Sequence, residues 1–183
     1  PTFIDYGQAE LLWSDEFDGA ADASFNSSIW TAQEGDGTAY GNHGWGNNER
    51  QWYLGSKSKL DGNGNLVITA TRSGANAYDC YYGDCEWLSS KLITRNKIGV
   101  FYGRMSVRMK SAAGEGTWPA FWTLGTDIGS VGWPSCGEID IVELAGRVPT
   151  TVWGTPHGPI SGGMGAGGIT QLASDADADF HTY

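Results

Sequence analysis

Ser135-Cys136-Gly137-Glu138-Ile139-Asp140-Ile141-Val142-Glu143-Leu144 reads as a β-strand that carries three carboxylates. Successive side chains of a strand alternate between its faces, so Glu138 and Asp140 point one way while Ile139 and Ile141 point toward the core. Strict alternation would then place Val142 beside the acids and drive Glu143 into the apolar layer, where an unpaired carboxylate is strongly disfavoured. One extra residue removes the conflict. A β-bulge at Ile141-Val142 shifts the register by one, so that Val142 and Leu144 join the core face and Glu143 rejoins Glu138 and Asp140.

Three acids on one face repel one another, which pushes their pKa values apart and lets them take different roles. Retaining glycoside hydrolysis needs such a division: one ionised carboxylate as nucleophile and one protonated carboxyl as acid, about 5 Å apart. Without a bulge, Cα atoms four residues apart lie roughly 13 Å from each other along a strand. Two glutamate side chains leaning together cover much of that gap. A bare E-x-D-x-x-E, taken alone, reads better as a solvated acidic strand face, because short motifs match loosely. The apolar remainder of this strand and its tryptophan-rich neighbours set it apart.

The 183 residues suffice for one domain with a sizeable core. With 28 Gly, 9 Trp and 8 Tyr, many turns join aromatic-rich strands, and an all-β sandwich or barrel is expected. No helix of useful length and no internal repeat is legible. The formal charge of -10, from 11 basic and 21 acidic residues, argues against nucleic acid and anionic membranes as partners and is compatible with a neutral polymer. No run approaches the ~18 apolar residues of a membrane span, no signal peptide opens the chain, and Pro1 reads as the start of a mature or trimmed protein. Cys80 and Cys85 flank a four-residue loop and are expected to form a small disulfide, which favours an oxidising, extracellular setting; Cys136 is left as a buried thiol. Asn26-Ser27-Ser28 is a formal glycosylation acceptor.

In chain order, Leu11 to Phe17 reads as a first strand, and Trp30 as the anchor of the polar connection after it. Gly35 to Asn48 is a long polar loop, the kind that carries function or serves as a connector. Asn48 and the aromatic residues after it read as ligand contacts. Leu66 to Arg72 is a strand with Leu66, Ile68 and Ala70 on one face; Lys91 to Thr94 and Gly99 to Met109 follow, the latter alternating Met105, Val107 and Met109 with Arg104, Ser106 and Arg108. In Trp118-Pro119-Ala120-Phe121-Trp122-Thr123-Leu124, Trp118 and Trp122 share a face, with rings roughly 13 Å apart. They serve either as platforms for successive sugars or as core. Trp133-Pro134, at the entrance of the acidic strand, is better placed for substrate. Thr151 to Gly158 is a further strand that delivers His157, assigned to substrate binding because two glutamates already suit proton transfer. The Gly-rich loop from Ser161 to Gly168 lacks a phosphate-binding fingerprint, and Asp175, Asp177 and Asp179 lack the glycine and terminal glutamate of a calcium loop and read as a solvated turn.

Glu138-Ile139-Asp140-Ile141-Val142-Glu143, with Trp133-Pro134 and Trp118-Pro119-Ala120-Phe121-Trp122 before it, resembles the signature of glycoside hydrolase family 16 in its bulged, laminarinase-like form. Asn47-Asn48-Glu49, Asp15-Glu16-Phe17 and Asp179-Phe180-His181-Thr182-Tyr183 fit the same family. The resemblance implies a concanavalin A-like β-jelly-roll sandwich with a concave substrate cleft, no catalytic cofactor, and retaining internal cleavage of β-1,3-glucan. It implies Glu138 as nucleophile, Glu143 as acid/base and Asp140 as assisting carboxylate, with Asn48, Arg72, Trp118, Trp122, Trp133 and His157 lining the cleft. It also implies a structural calcium, for which Glu16 and Gly64 stand at matching places while the family's aspartate ligand lies beyond Tyr183. In relatives several strands follow the segment resembling Asp179 to Tyr183. The expectation is therefore a single catalytic domain over residues 1–183 that is incomplete at its C-terminus, its last strands either present as a separate or nicked chain or lost. The rival readings are a mixed-linkage β-1,3-1,4-glucanase, an enzyme cutting galactan, a transglycosylase sharing the same intermediate, and a non-catalytic glucan-binding module; the last has no need of all three acids.

Overall fold

The computed structural model describes residues 10–161, 163 and 165–183, so the reading of Pro1 and part of the loop from Ser161 to Gly168 lie outside the described residues. The chain forms two compact units, Pro1–Ile98 and Gly99–Tyr183. Short strands dominate both, and the α-helix among the described residues is one turn, α1 (Ile128–Val131). Among the described residues no helix is long and apolar enough to cross a membrane.

In the first unit the strands are β1 (Thr31–Ala32), β2 (Gln51–Tyr53), β3 (Ser58–Leu60), β4 (Leu66–Ile68), β5 (Asp79–Cys80), β6 (Gly83–Asp84), β7 (Trp87–Ser89) and β8 (Leu92–Ile93). They pair two by two: β1 with β8, β2 with β7, β3 with β4, and β5 with β6. The Cys80–Cys85 disulfide is formed, with the Cα atoms 5.1 Å apart, and both cysteines join Ala75 and Leu88 in a core flanked by Trp52, Leu54, Tyr78 and Tyr82. The Gly35 to Asn48 loop is organised by a buried acid. Asp36 accepts hydrogen bonds from the Thr38 amide (3.0 Å), the Thr38 hydroxyl (3.0 Å) and the Tyr81 amide (2.6 Å), while the Trp45 ring is buried nearby in the chain.

Two expected strands of this unit differ. Leu11 to Phe17 forms no ladder, and Leu11 and Leu12 are 78% and 80% exposed. Asp15 decides this segment: its carboxylate accepts from the Phe17 amide (3.0 Å) and from the Trp30 indole (2.8 Å), a local turn that competes with extension. Trp30, expected to anchor the connection in the core, is half-buried and outside both core clusters, with Trp13 and Phe17 packed on its ring. The Leu66 to Arg72 strand stops at Ile68, and Val67, Ile68 and Ala70 are exposed. Here the chain changes partners, since Thr69 still bonds Lys57 but Thr71 bridges to Leu88.

The second unit contains β9 (Arg108–Met109), β10 (Ala120–Leu124), β11 (Glu138–Leu144), β12 (Thr151–His157), β13 (Gly168–Gln171) and β14 (His181–Thr182). β10-β11-β12-β13 form one antiparallel sheet, and β14 pairs with β9. The acidic stretch is a central strand, bulged at the expected place. Asp140 pairs with Thr155 and Glu143 with Trp153, so Ile141 and Val142 together oppose Gly154. On the other side Val142 pairs with Phe121 and Asp140 with Trp122, leaving Ile141 as the extra residue. Val142 (0% exposed) and Leu144 (1%) are the centre of a core with Val152 and Ala176, packed by Val107, Met109, Phe121, Leu172 and Tyr183.

Three readings are corrected here. Gly99 to Met109 pairs only at its end, because β14 and Tyr183 supply partners from Val107 to Met109 alone; the burial alternation of Met105, Val107 and Met109 nevertheless holds. Ile139 is 54% exposed rather than part of the core face, since the buried cluster begins beyond the bulge. Cys136 is half-buried, its thiol on the Gly137 carbonyl at 3.3 Å.

The contrast between Leu144 and Ile139 is measurable. Leu144→Ala should destabilise the chain by about 2–5 kcal/mol and Ile139→Ala by less than ~1 kcal/mol in urea unfolding. Equal costs would mean that the core does not begin at the bulge.

Candidate active site

The ladder partners of β11 define one functional face, because residues directly opposite each other in an antiparallel pair project from the same side. Three rows cross the sheet: Leu124, Glu138 and His157; Trp122, Asp140 and Thr155; Ala120, Glu143 and Trp153. The bulge is what admits Glu143 to this set. Trp122 therefore stands beside Asp140 on the acid face, whereas Phe121, opposite Val142, fills the core. The tryptophans expected to share a face do so relative to the acids.

Each glutamate receives an indole N–H. Trp133 Nε1 donates to Glu138 Oε2 at 2.6 Å, and Trp118 Nε1 donates to Glu143 Oε1 at 3.0 Å. Both tryptophan rings remain largely exposed, so each indole orients a carboxylate and still offers an aromatic surface. Asp140, only 5% exposed, meets His157 Nε2 through Oδ2 at 2.9 Å, and His157 Nδ1 donates to the Gly163 carbonyl at 2.7 Å. A cavity of about 440 Å³ opens beside Glu143, walled by Trp118, Arg147 and Trp153.

The acids are tuned differently. Burial, with the charges of Glu143 and Glu138 next, pushes Asp140 up to about 6, against a smaller opposing pull from His157. Burial also raises the Glu143 carboxyl, despite the Trp118 hydrogen bond that favours its ionised form. His157 is held above its ordinary value, chiefly by the Gly163 carbonyl and then by Asp140.

The remaining expected residues lie in the first unit. Asn48 is exposed with a positive φ of 57°, a left-handed conformation that asparagine tolerates. The exposed Arg72 guanidinium lies over the Trp87 ring, 4.7 Å from its centroid. Glu16 and Gly64 are brought together: a Cβ built on Gly64 would lie 3.5 Å from the Glu16 carbonyl oxygen and 3.9 Å from Asp18 Oδ1. These hard oxygens suit calcium in kind.

Sequence reasoning missed Trp153 and Gly163. Trp153 was findable, since carrying the bulge across to the next strand places it opposite Glu143. Gly163 had no local signal, because its role comes from a contact with His157 across the turn after β12.

The assignment of Asp140 has a direct check. A ¹³C carboxyl titration should give Asp140 a midpoint of about 6, moving down in Glu143→Gln as one repelling charge is removed. A midpoint near the ordinary 3.8 would show that burial does not govern this group.

The sequence model described as "Glycosyl hydrolases family 16" matches residues 46–183. A β-glucanase of Rhodothermus marinus is 37% identical over 183 residues, covering 95% of this chain and 58% of the relative. The laminarinase catalytic domain of Thermotoga maritima superposes with a TM-score of 0.86 at 40% identity, covering 95% of this chain and 68% of that one. The endo-β-1,3-glucanase of Pyrococcus furiosus superposes at 0.83, also at 40% identity, over 94% of this chain and 65% of that one. This chain thus spans less than two thirds of the length of the Rhodothermus relative. With the family matched over most of its length and its backbone following these structures nearly throughout, the chain belongs to glycosyl hydrolases family 16 and has an all-β jelly-roll fold.

Proposed function

We propose that this chain carries the catalytic centre of a retaining endo-β-1,3-glucanase of the laminarin-cleaving kind. The observation that carries this reading is the row of Glu138, Asp140 and Glu143 on one sheet face, two of them held above ordinary carboxyl values. A non-catalytic glucan-binding module needs the tryptophans but not this arrangement of acids.

Glu143, whose carboxyl burial shifts toward the protonated form, gives its proton to the glycosidic oxygen as Glu138 attacks the anomeric carbon. The carbon–oxygen bond to the leaving sugar breaks and a glycosyl-enzyme ester forms. Glu143, now ionised, takes a proton from water, whose oxygen attacks the same carbon and releases Glu138 with net retention. The indole of Trp133 orients the Glu138 carboxylate for attack, and the proton shared by Asp140 and His157 limits the negative charge around it. No step calls for a cofactor. Trp118, Trp122 and Trp133 serve as sugar platforms, and Asn48 and Arg72 are assigned to substrate binding on the first unit. The β-glucan specificity rests on the names of the relatives, with mixed-linkage glucan as the competing polymer.

The oxygens of Glu16 and Asp18 beside Gly64 are assigned to a structural calcium that ties the turn at residues 15–18 to the turn at 61–65. The Cys80–Cys85 disulfide supports a secreted protein.

The primary test is product release from laminarin, with mixed-linkage β-glucan in parallel and the anomer of the first product read by NMR. Oligosaccharides from laminarin with retained configuration are expected; an inverted first product would overturn the nucleophile assignment. Glu138→Gln should lower turnover at least ~1,000-fold while glucan binding persists. Trp118→Phe removes a hydrogen bond that favours ionised Glu143. The acid form then survives to higher pH, so the alkaline limb of kcat/KM should move upward; an unmoved or lowered limb would separate Glu143 from proton donation.

A further inference from the structure

Two supports of the acidic trio meet at one glycine. Gly163 is buried, has a φ of +85°, and its amide donates to the Gly158 carbonyl at 3.2 Å. Its own carbonyl accepts the His157 Nδ1–H at 2.7 Å. A carbonyl oxygen only accepts, so Nδ1 bears hydrogen in this arrangement. The other nitrogen, Nε2, lies 2.9 Å from Asp140 Oδ2, and that contact is bonding only if one proton sits between them, on the imidazole or on the carboxyl.

The opposite side of Gly163 seats an indole. A Cβ built there would lie 2.6 Å from Cη2, 3.0 Å from Cζ3 and 3.4 Å from Cζ2 of Trp133, whose Nε1 donates to Glu138 Oε2. The left-handed φ and the absent Cβ are both required of this residue. One backbone position thereby connects Trp133 to Glu138 and His157 to Asp140, all within the second unit.

We propose that Gly163 is a positioning residue for the acidic trio: its carbonyl holds Nδ1 of His157 protonated with Nε2 aimed at Asp140, while its bare Cα seats the Trp133 ring that orients Glu138. This rests on the glucanase reading above for its kinetic consequence, but the proton on His157 is observable without turnover. The charged and titratable groups around the pair are Glu138, Asp140 and Glu143 from β11 and His157 from β12. Side-chain bulk at Gly163 pushes on the indole and shifts the carbonyl, so both supports move together. A displacement of about 1 Å in such a constellation costs about a hundredfold in rate.

The test compares wild type, Gly163→Ala and, as a control, the exposed Gly168→Ala, where an added Cβ meets nothing within 4 Å. Laminarin kinetics across pH are paired with ¹⁵N NMR of the three histidines. At about pH 6, the midpoint of Asp140, wild-type Nδ1 of His157 should read as protonated. Gly163→Ala should lose that signature and about a hundredfold in kcat, with KM within a few fold and a displaced pH profile, while Gly168→Ala stays near wild type. Wild-type kcat and pH profile in Gly163→Ala would overturn the proposal. So would a deprotonated Nδ1 in the wild-type protein, a result that stands even if the alanine variant fails to fold. Absence of laminarin hydrolysis by wild type would instead defeat the glucanase reading and leave the NMR result to judge Gly163.

Discussion

The second unit depends on keeping one carboxylate out of an apolar layer. Glu143 lies between Val142 and Leu144, both fully buried, in a strand whose neighbours on each side are paired. Regular alternation would exchange them, burying an unpaired charge and exposing two core side chains. The extra residue at Ile141 resolves the conflict, and the solution has a chemical consequence: a core-forming strand and a triply acidic face share the same seven residues. The bulge that permits packing is also what assembles the site.

Around that face, tryptophan works in two capacities. Indole nitrogen is a donor only, so Trp133 and Trp118 each fix one oxygen of one glutamate, while the exposed rings remain available to a pyranose. Burial raises Asp140 and Glu143 more than their hydrogen bonds lower them, which shifts both toward the protonated form. His157 gives Asp140 a partner with which to share a proton, relieving repulsion among three acids without removing any of them.

The legible parts of the fold were those governed by period and by short-range chemistry. The bulge followed from the clash between the apolar pattern and Glu143, the face of Trp122 from alternation, and the Cys80–Cys85 bridge from spacing. The missed strands have one physical origin, since an apolar or alternating run is a strand only if another strand supplies hydrogen bonds. Leu11 to Phe17 has strand-like residues, but Asp15 satisfies the Phe17 amide locally. Gly99 to Met109 alternates well, yet pairs only where β14 and Tyr183 reach it. Ile139 obeys the period, and its exposure depends on which residues pack over it.

The sequence by itself determined the acidic strand, its bulge, the division of its faces and the resemblance to a family of glycoside hydrolases, because each is a consequence of residue order within one or two adjacent segments. Tertiary structure alone decided which group serves which. The Trp133 to Glu138 and Trp118 to Glu143 pairings, the placing of Trp153 opposite Glu143, and the contact of Gly163 with both His157 and Trp133 depend on ladder register and on the path of a turn. Those are set by long-range hydrogen bonds and by excluded volume, and neither leaves a periodic trace in the chain.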